Sequence, residues 1–229
     1  MLKVAEVSKR FGNFQVLTNI SFDVKNGEKV GIIGPNGAGK TTLFNIISGF
    51  LKPDSGEIIY KEVRITAKKP SWIAKIGIVR TFQIIKLFEN LTVAQNIEAA
   101  GGDVEILKEM NLWAKRNEIA KNLSQGEMRR LSIAMALCLD PKILLLDEPF
   151  SGLDFQDSAQ LAQTIQSLDG KMAMIIIEHR LAELFGVAER VLVLNAGKII
   201  FDGLPEDVFE SREVREAYLG RKYANSLCK

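Results

Sequence analysis

The chain has 229 residues, of which 47% are hydrophobic and 25% charged, and its formal net charge is +2. That length admits one large α/β domain or a core with a small insertion, and so slight a charge gives no electrostatic case for nucleic acid as the main partner. No apolar run approaches the length of a membrane span, and Cys138 and Cys228, with no metal spacing between them, suit a reducing cytoplasm.

The opening Met1-Leu2-Lys3-Val4-Ala5-Glu6 lacks the apolar core of a secretory signal, so a cytoplasmic protein is expected. Residues 2–33 read as several short strands divided by turn signals at Phe11-Gly12-Asn13 and Lys25-Asn26-Gly27. The last of them, from Glu28 to Ile33, is a short apolar run of the kind that forms a buried strand. Gly34-Pro35-Asn36-Gly37-Ala38-Gly39-Lys40-Thr41-Thr42 follows and fits G-x-x-x-x-G-K-[ST]. Apolar residues at helical spacing then run to a glycine stop at Gly49. Strand, glycine-rich turn and helix start together make a phosphate cradle. The glycines let successive backbone N–H groups face one concavity, and the helix N-terminus adds partial positive charge. Lys40 would reach the β- and γ-phosphates, and the Thr41 hydroxyl would ligate Mg²⁺.

Downstream, Glu57 to Tyr60 and Val63 to Ile65 suggest a hairpin, Pro70 to Lys75 a short helix, and Ile76 to Val79 a strand leading to Gln83. From Ile84 to Asn122 strand signals stop, and Thr92 to Ala100 and Val104 to Lys121 read as two helices of an insertion. Gln125 to Leu139 is a helix, Ile143 to Leu146 a buried strand, Phe155 to Leu168 a helix and Met172 to Ile177 another buried strand. Unalternated apolar strands spaced by helices predict a parallel sheet covered on both faces. Val191 to Leu194 and Ile199 to Phe201 form a terminal hairpin, and the remainder from Pro205 is helical.

The strand Ile143-Leu144-Leu145-Leu146 ends in Asp147-Glu148-Pro149, which puts two acids at the carboxyl edge of the sheet, where open α/β folds bind ligands. Asp147 would hold Mg²⁺ and Glu148 would polarise an attacking water. Between these motifs stands Leu123-Ser124-Gln125-Gly126-Glu127, and after them come Ser151-Gly152-Leu153-Asp154 and the lone His179. In that order the motifs resemble the ATP-binding subunits of ABC transporters nearly end to end. Arg80-Thr81-Phe82-Gln83, Leu87 to Val93 and Ile176-Ile177-Glu178-His179 resemble the branched-chain amino acid importer ATPases in particular. The lipopolysaccharide-export and urea-import ATPases share much of this wording.

The resemblance implies an α/β, P-loop NTPase core with a mainly parallel sheet, an N-terminal antiparallel β subdomain and a short inserted helical subdomain. The expected division is core and β subdomain at 1–83 and 136–220, helical subdomain at about 84–135, and a polar tail at 221–229. It implies an ATPase using ATP and Mg²⁺, with integral-membrane permease subunits, a second ATPase chain and an external solute-binding protein as partners, peripheral on the inner face of the membrane. Glu148, His179 and Gln83 would be catalytic, with Thr41, Gln83 and Asp147 around the metal. Ser124, Gln125, Gly126, Glu127 and Asp154 would contact ATP across a dimer. Phe11 would stack on adenine, an aromatic face matching a purine, with Phe14 competing for that place and Val16 as a side wall. Gln125 departs from the family's usual glycine, Glu127 from glutamine and Arg180 from aspartate. Soluble ABC ATPases that act on nucleic acid carry long coiled-coil insertions, whereas the insertion here is short and lacks sustained heptads.

Overall fold

The computed structural model describes residues 1–81, 85–168, 170 and 172–219, so Gln83 and the 221–229 tail lie outside it. β1 (Leu2–Phe11) and β2 (Phe14–Val24) lead to β3 (Lys29–Ile33), which runs into α1 (Lys40–Ile47). β4 (Ser55–Tyr60) and β5 (Val63–Arg64) form the expected hairpin, and α2 (Pro70–Lys75) precedes β6 (Ile78–Arg80). A helical stretch follows with α3 (Val93–Ala99), α4 (Ile106–Glu109) and α5 (Gln125–Leu137). The chain then returns through β7 (Ile143–Asp147), α6 (Phe155–Ser167), β8 (Ala173–Ile177), α7 (Leu181–Phe185), β9 (Arg190–Asn195), β10 (Lys198–Gly203) and α8 (Arg212–Leu219).

Two sheets result. One is antiparallel, in the order β2-β1-β4-β5; the other runs β10-β9-β3-β8-β7-β6 and is parallel except for the β9–β10 hairpin. The several short strands expected before Lys25 are two long ones. Register shifts along β1, with Glu6 and Asn19 at positive φ, interrupt the in-out alternation and make one bent strand look like fragments.

The parallel strands are buried on both faces, and alternate residues feed two cores. Val30, Ile32, Leu145, Ile175 and Ile177 point to the side of α1 and the antiparallel sheet, where they pack with Leu43, Phe44 and Ile47. Ile33, Leu144, Leu146, Met174 and Ile176 point the other way and meet Leu131, Leu161, Leu184 and Val214 from α5, α6, α7 and α8. Each such side chain removed from water contributes about 1.5–3 kcal/mol, and together they fix the carboxyl edges of β3, β7 and β8 side by side.

The single helix expected over Val104 to Lys121 is instead broken. α4 stops at Glu109, Asn111 takes a left-handed φ of 53°, and two short 3₁₀ turns at Trp113–Lys115 and Ala120–Asn122 follow. Asparagine tolerates that conformation better than other non-glycine residues, and Thr92 bridges to Ile119, which draws the segment back onto α3. α3 itself begins with a capping box between Thr92 and Gln95. The fully buried Asn96 joins α3 to the segment before it: its Oδ1 accepts from Phe88 N at 2.8 Å, and its Nδ2 donates to the carbonyls of Phe88 at 3.1 Å and Thr92 at 2.9 Å. Asn96→Ala strands those groups and is expected to cost about 2–3 kcal/mol in urea unfolding; a change under about 0.5 kcal/mol would contradict this role.

Candidate active site

The turn between β3 and α1 is built by backbone crowding. Gly34 sits at φ 152°, and a Cβ there would overlap the carbonyl oxygen of Leu194 on β9, so no other residue fits. Gly39 caps α1 at φ 106° without any side-chain cap, so the first-turn N–H groups of the helix are left to face outward. Burial pushes the hydroxyl of Tyr218 on α8 up to about 12, with the backbone of Gly34 acting against that shift. Lys40 is almost wholly buried and donates from Nζ to the carbonyls of Gly34 at 2.6 Å and Pro35 at 3.1 Å. Burial pulls its ammonium below the usual lysine range, against the opposing attraction of Glu148 and then Asp147. A cation that has lost much of its water, set among N–H donors, is a strong anion site.

In front of this turn lies a cleft of about 310 Å³, lined by residues 36–42, by Phe14 and Val16 of β2, and by Glu148 and His179. Glu148 and His179 lie just beyond the ends of adjacent parallel strands, β7 and β8, and the sheet brings them together: Glu148 Oε1 is 3.0 Å from His179 Nε2. Glu148 is held at φ 48° with its N–H bonded to Ile177 O at 2.9 Å. A glutamate in the left-handed region is strained, and such strain gathers at functional positions. A larger depression of about 780 Å³ over the bulged β1 is lined by charges of both signs, including Lys3, Glu57, Arg64 and Asp202. Among the residues that line it there is no helix N-terminus and no strand-end acid pair, so the smaller cleft is the candidate site.

The structure sorts the expected site residues into three groups. Asn36, Gly37, Ala38, Gly39, Lys40, Thr41, Thr42, Val16, Glu148 and His179 converge on the cleft, whereas Gly34 and Pro35 frame it from behind. Phe11 does not line it. β2 crosses over the loop, with Val16 O 3.0 Å from where a Gly39 Cβ would lie, so Phe14 and Val16, two apart on that strand, face the cleft while Phe11 belongs to its neighbour β1. The Phe11 ring lies instead 5.6 Å from Lys9 Nζ. Asp147 stands behind the cleft wall with Oδ2 bonded to Arg80 Nη2 at 2.7 Å, and Gln83 lies outside the described residues.

The third group sits apart from the cleft. Ser124 caps α5 in a capping box with Glu127, which also pairs with Lys115 Nζ at 2.8 Å. The Gln125 amide packs on Gly152, the Asp157 carboxylate packs on Gly126, and Asp154 caps α6 by accepting from Asp157 N at 2.8 Å. None of these residues lines the cleft of their own chain. The sequence marks Arg80 only as part of a family resemblance and gives it no role; its guanidinium also reaches Asn45 Oδ1 at 2.7 Å and Ser48 Oγ at 3.2 Å and sits over Phe44. With Arg80 and Asp147 separated by 67 positions, no local pattern announces the pair.

The profile of the ABC transporter family matches residues 17–151, more than half of the chain. This chain belongs to the ABC transporter family. It is 34% identical to the high-affinity branched-chain amino acid transport ATP-binding protein LivG of Salmonella typhimurium, over 96% of this chain and 98% of that one. The lipopolysaccharide export system ATP-binding protein LptB of Acidithiobacillus ferridurans is 32% identical, with 97% and 98% covered. The arginine transport ATP-binding protein ArtM of Bacillus subtilis is 36% identical, with 95% and 97% covered. Among solved structures, the ADP conformation of MJ1267, an ATP-binding cassette of an ABC transporter, superposes with a TM-score of 0.88 at 32% identity, covering 96% of this chain and 99% of that one. A dimeric post-hydrolysis state of the cassette MJ0796 bound to ADP and phosphate gives 0.76 at 29% identity, covering 90% and 99%. The fold is therefore that of an ABC ATPase, and the chain is the ATP-hydrolysing, ATP-binding subunit of an ABC transporter. Among the described residues, no helix is long and apolar enough to cross a membrane.

Arg80 and Asp147 are both about 7% exposed at their side chains, so their pairing leaves little room for water to compensate a lost partner. Arg80→Met leaves the buried Asp147 carboxylate without its hydrogen-bonded cation, with only the fields of Lys40 and Arg129 to offset the loss, and is expected to cost about 3 kcal/mol in chemical denaturation. A loss below about 1 kcal/mol would mean that the pair is not structural.

Proposed function

We propose that Glu148 and His179 perform ATP hydrolysis in the cleft of this cassette, and that the work drives amino-acid import through a separate permease. The Glu148–His179 contact beside the phosphate loop is the observation that carries the catalytic reading. A triphosphate laid along residues 36–42 meets backbone donors and the α1 N-terminus, with Lys40 Nζ exchanging loop carbonyls for phosphate oxygens. Phosphoryl transfer to water then requires positioning and charge stabilisation more than covalent help. The Glu148 carboxylate accepts a proton from, or orients, the attacking water, and His179, whose Nε2 lies 3.0 Å from that carboxylate in this structure, turns its single Nε2–H to the γ-phosphate when ATP is bound. Phe14, 70% exposed, offers an open aromatic face for the adenine.

For Mg²⁺ the donor chemistry fits. Thr41 contributes a hydroxyl at the cleft and Asp147 a carboxylate just behind it, both hard oxygens. Among the described residues no three His, Cys, Asp or Glu side chains converge as a cage, and a cation held by one or two protein oxygens, phosphates and waters needs none. Bound there, the metal would neutralise charge on the β- and γ-phosphates. Gln83 completes the proposed set.

Ser124, Gln125, Gly126, Glu127 and Asp154, remote from their own cleft, are proposed to close the cleft of a second ATPase chain. An α5 N-terminus capped by Ser124 presents donors and a positive dipole end suited to a γ-phosphate. ATP then completes an interface that its hydrolysis dissolves, which biases the two chains between joined and parted states.

The likeness to LivG supports branched-chain amino acids as the solute; in the proposed reading it is imported, delivered by an external binding protein, with this chain peripheral on the inner face of the membrane. Similar identities to LptB and ArtM make the solute the part to test first. Vesicles holding this chain with its genomic neighbour permease and supplied with the matching external binding protein should take up leucine in an ATP-dependent manner; uptake of arginine alone would replace that assignment. For the chemistry, Glu148→Gln should keep ATP affinity, lose at least ~100-fold in turnover and accumulate an ATP-bound dimer on size exclusion. Wild-type turnover in that variant would remove Glu148 from its role.

A further inference from the structure

Behind the cleft, the ends of β7 and β8 are tied together by two side chains that the hydrolytic reading leaves unused. Glu178 is 1% exposed; its Oε1 accepts from Phe150 N at 2.9 Å and its Oε2 from His179 N at 2.6 Å. Arg180 lies next along the chain. Its Nη1 donates to Phe150 O at 3.2 Å, Leu153 O at 2.8 Å and Ser158 Oγ at 2.8 Å, while Nη2 pairs with Glu183 of α7. The residues flanking His179 therefore grip both ends of the loop that leaves Glu148 and arrives at Asp154.

The same loop carries the far side of the molecule. The Gln125 amide rests on Gly152, and Asp157 in the first turn of α6 packs on Gly126 and lies 3.6 Å from Arg130 of α5. A continuous set of contacts thus runs from the Glu148–His179 pair through Arg180 to the turn that begins α5. One end faces this chain's own cleft, whereas the other is the turn proposed to close a partner's.

We infer that Arg180 is a positioning residue that locks His179, the Phe150–Asp154 loop and the Ser124–Gly126 turn into one unit, so that events in one ATP site are felt in the other. This rests on the reading that the α5 turn serves a second chain. The arginine fork matters more than its charge. Two carbonyls and a hydroxyl are held through one guanidinium nitrogen while the other nitrogen keeps Glu183; a lysine ammonium is a single point that cannot span the same acceptors. Arg180 does not line the cleft, so its loss should act on turnover and cooperativity and spare ATP binding.

The test uses the full chain. ATP binding is followed by calorimetry and turnover is titrated against ATP for wild type, Arg180→Met and Arg180→Lys, with Glu148→Gln dimerisation as the control on the two-chain reading. Expected results are ATP affinity within about threefold of wild type, a kcat at least about tenfold lower in Arg180→Met and a Hill coefficient falling toward one. Arg180→Lys, which keeps the charge and the Glu183 pair, should fold and show the same loss of cooperativity with a smaller fall in kcat. It therefore decides the matter if Arg180→Met does not fold. A folded variant with wild-type kcat and Hill coefficient would overturn the coupling while a Glu148→Gln dimer left the two-chain reading standing. A wild-type Hill coefficient of one together with no ATP-dependent dimer of Glu148→Gln would overturn both.

Discussion

A buried lysine at the base of a glycine-built turn is the constraint on which the site depends. Lys40 has given up most of its hydration and is held between the loop's own carbonyls and the field of two carboxylates. Such an ammonium is a poor neighbour for bulk protein and a good one for a phosphate chain, since charge–charge attraction grows as water is excluded. The turn holds that position only because Gly34 can pass against the β9 backbone and Gly39 can start α1 in a left-handed conformation. Everything else in the cleft is placed relative to this turn.

The parallel sheet supplies that placement. β3, β7 and β8 are neighbours in the order of the large sheet, so their carboxyl ends deliver the phosphate loop, Glu148 and His179 to one rim. Buried apolar residues on both faces keep the strands in register, and a slip of one residue would turn Glu148 away from the cleft. The strained φ of Glu148 is sustained by this packing: its N–H is fixed on β8 while its carboxylate reaches His179. Packing energy on the two cores is thus linked directly to the geometry of two polar atoms.

What could be read from the sequence was local. The phosphate loop, the acidic strand end, the short helix at Pro70 and the terminal hairpin are each specified by neighbouring residues, through glycine spacing, apolar runs or a proline at a helix start. The expected helix over Val104 to Lys121 failed because Asn111 reverses the chain, and the apolar residues on either side fold onto α3 and α5 as separate turns. Phe11 and Phe14 are equivalent by composition, and only the crossing of β2 over the loop separates them. Arg80 with Asp147, and Arg180 with the Phe150–Asp154 loop, are contacts across 67 and up to 30 residues of chain. No periodicity encodes such a pairing; the fold has to be known first.

The most direct measurement is a calorimetric titration of the wild-type chain and of Lys40→Ala with ATP in the presence of Mg²⁺. The wild type should release heat in a saturable binding isotherm, and the variant should bind at least about tenfold more weakly, as loss of a charge-assisted contact worth ~1.5–3 kcal/mol requires. Equal affinity in the two proteins, or no heat from the folded wild type, would contradict the account at its base.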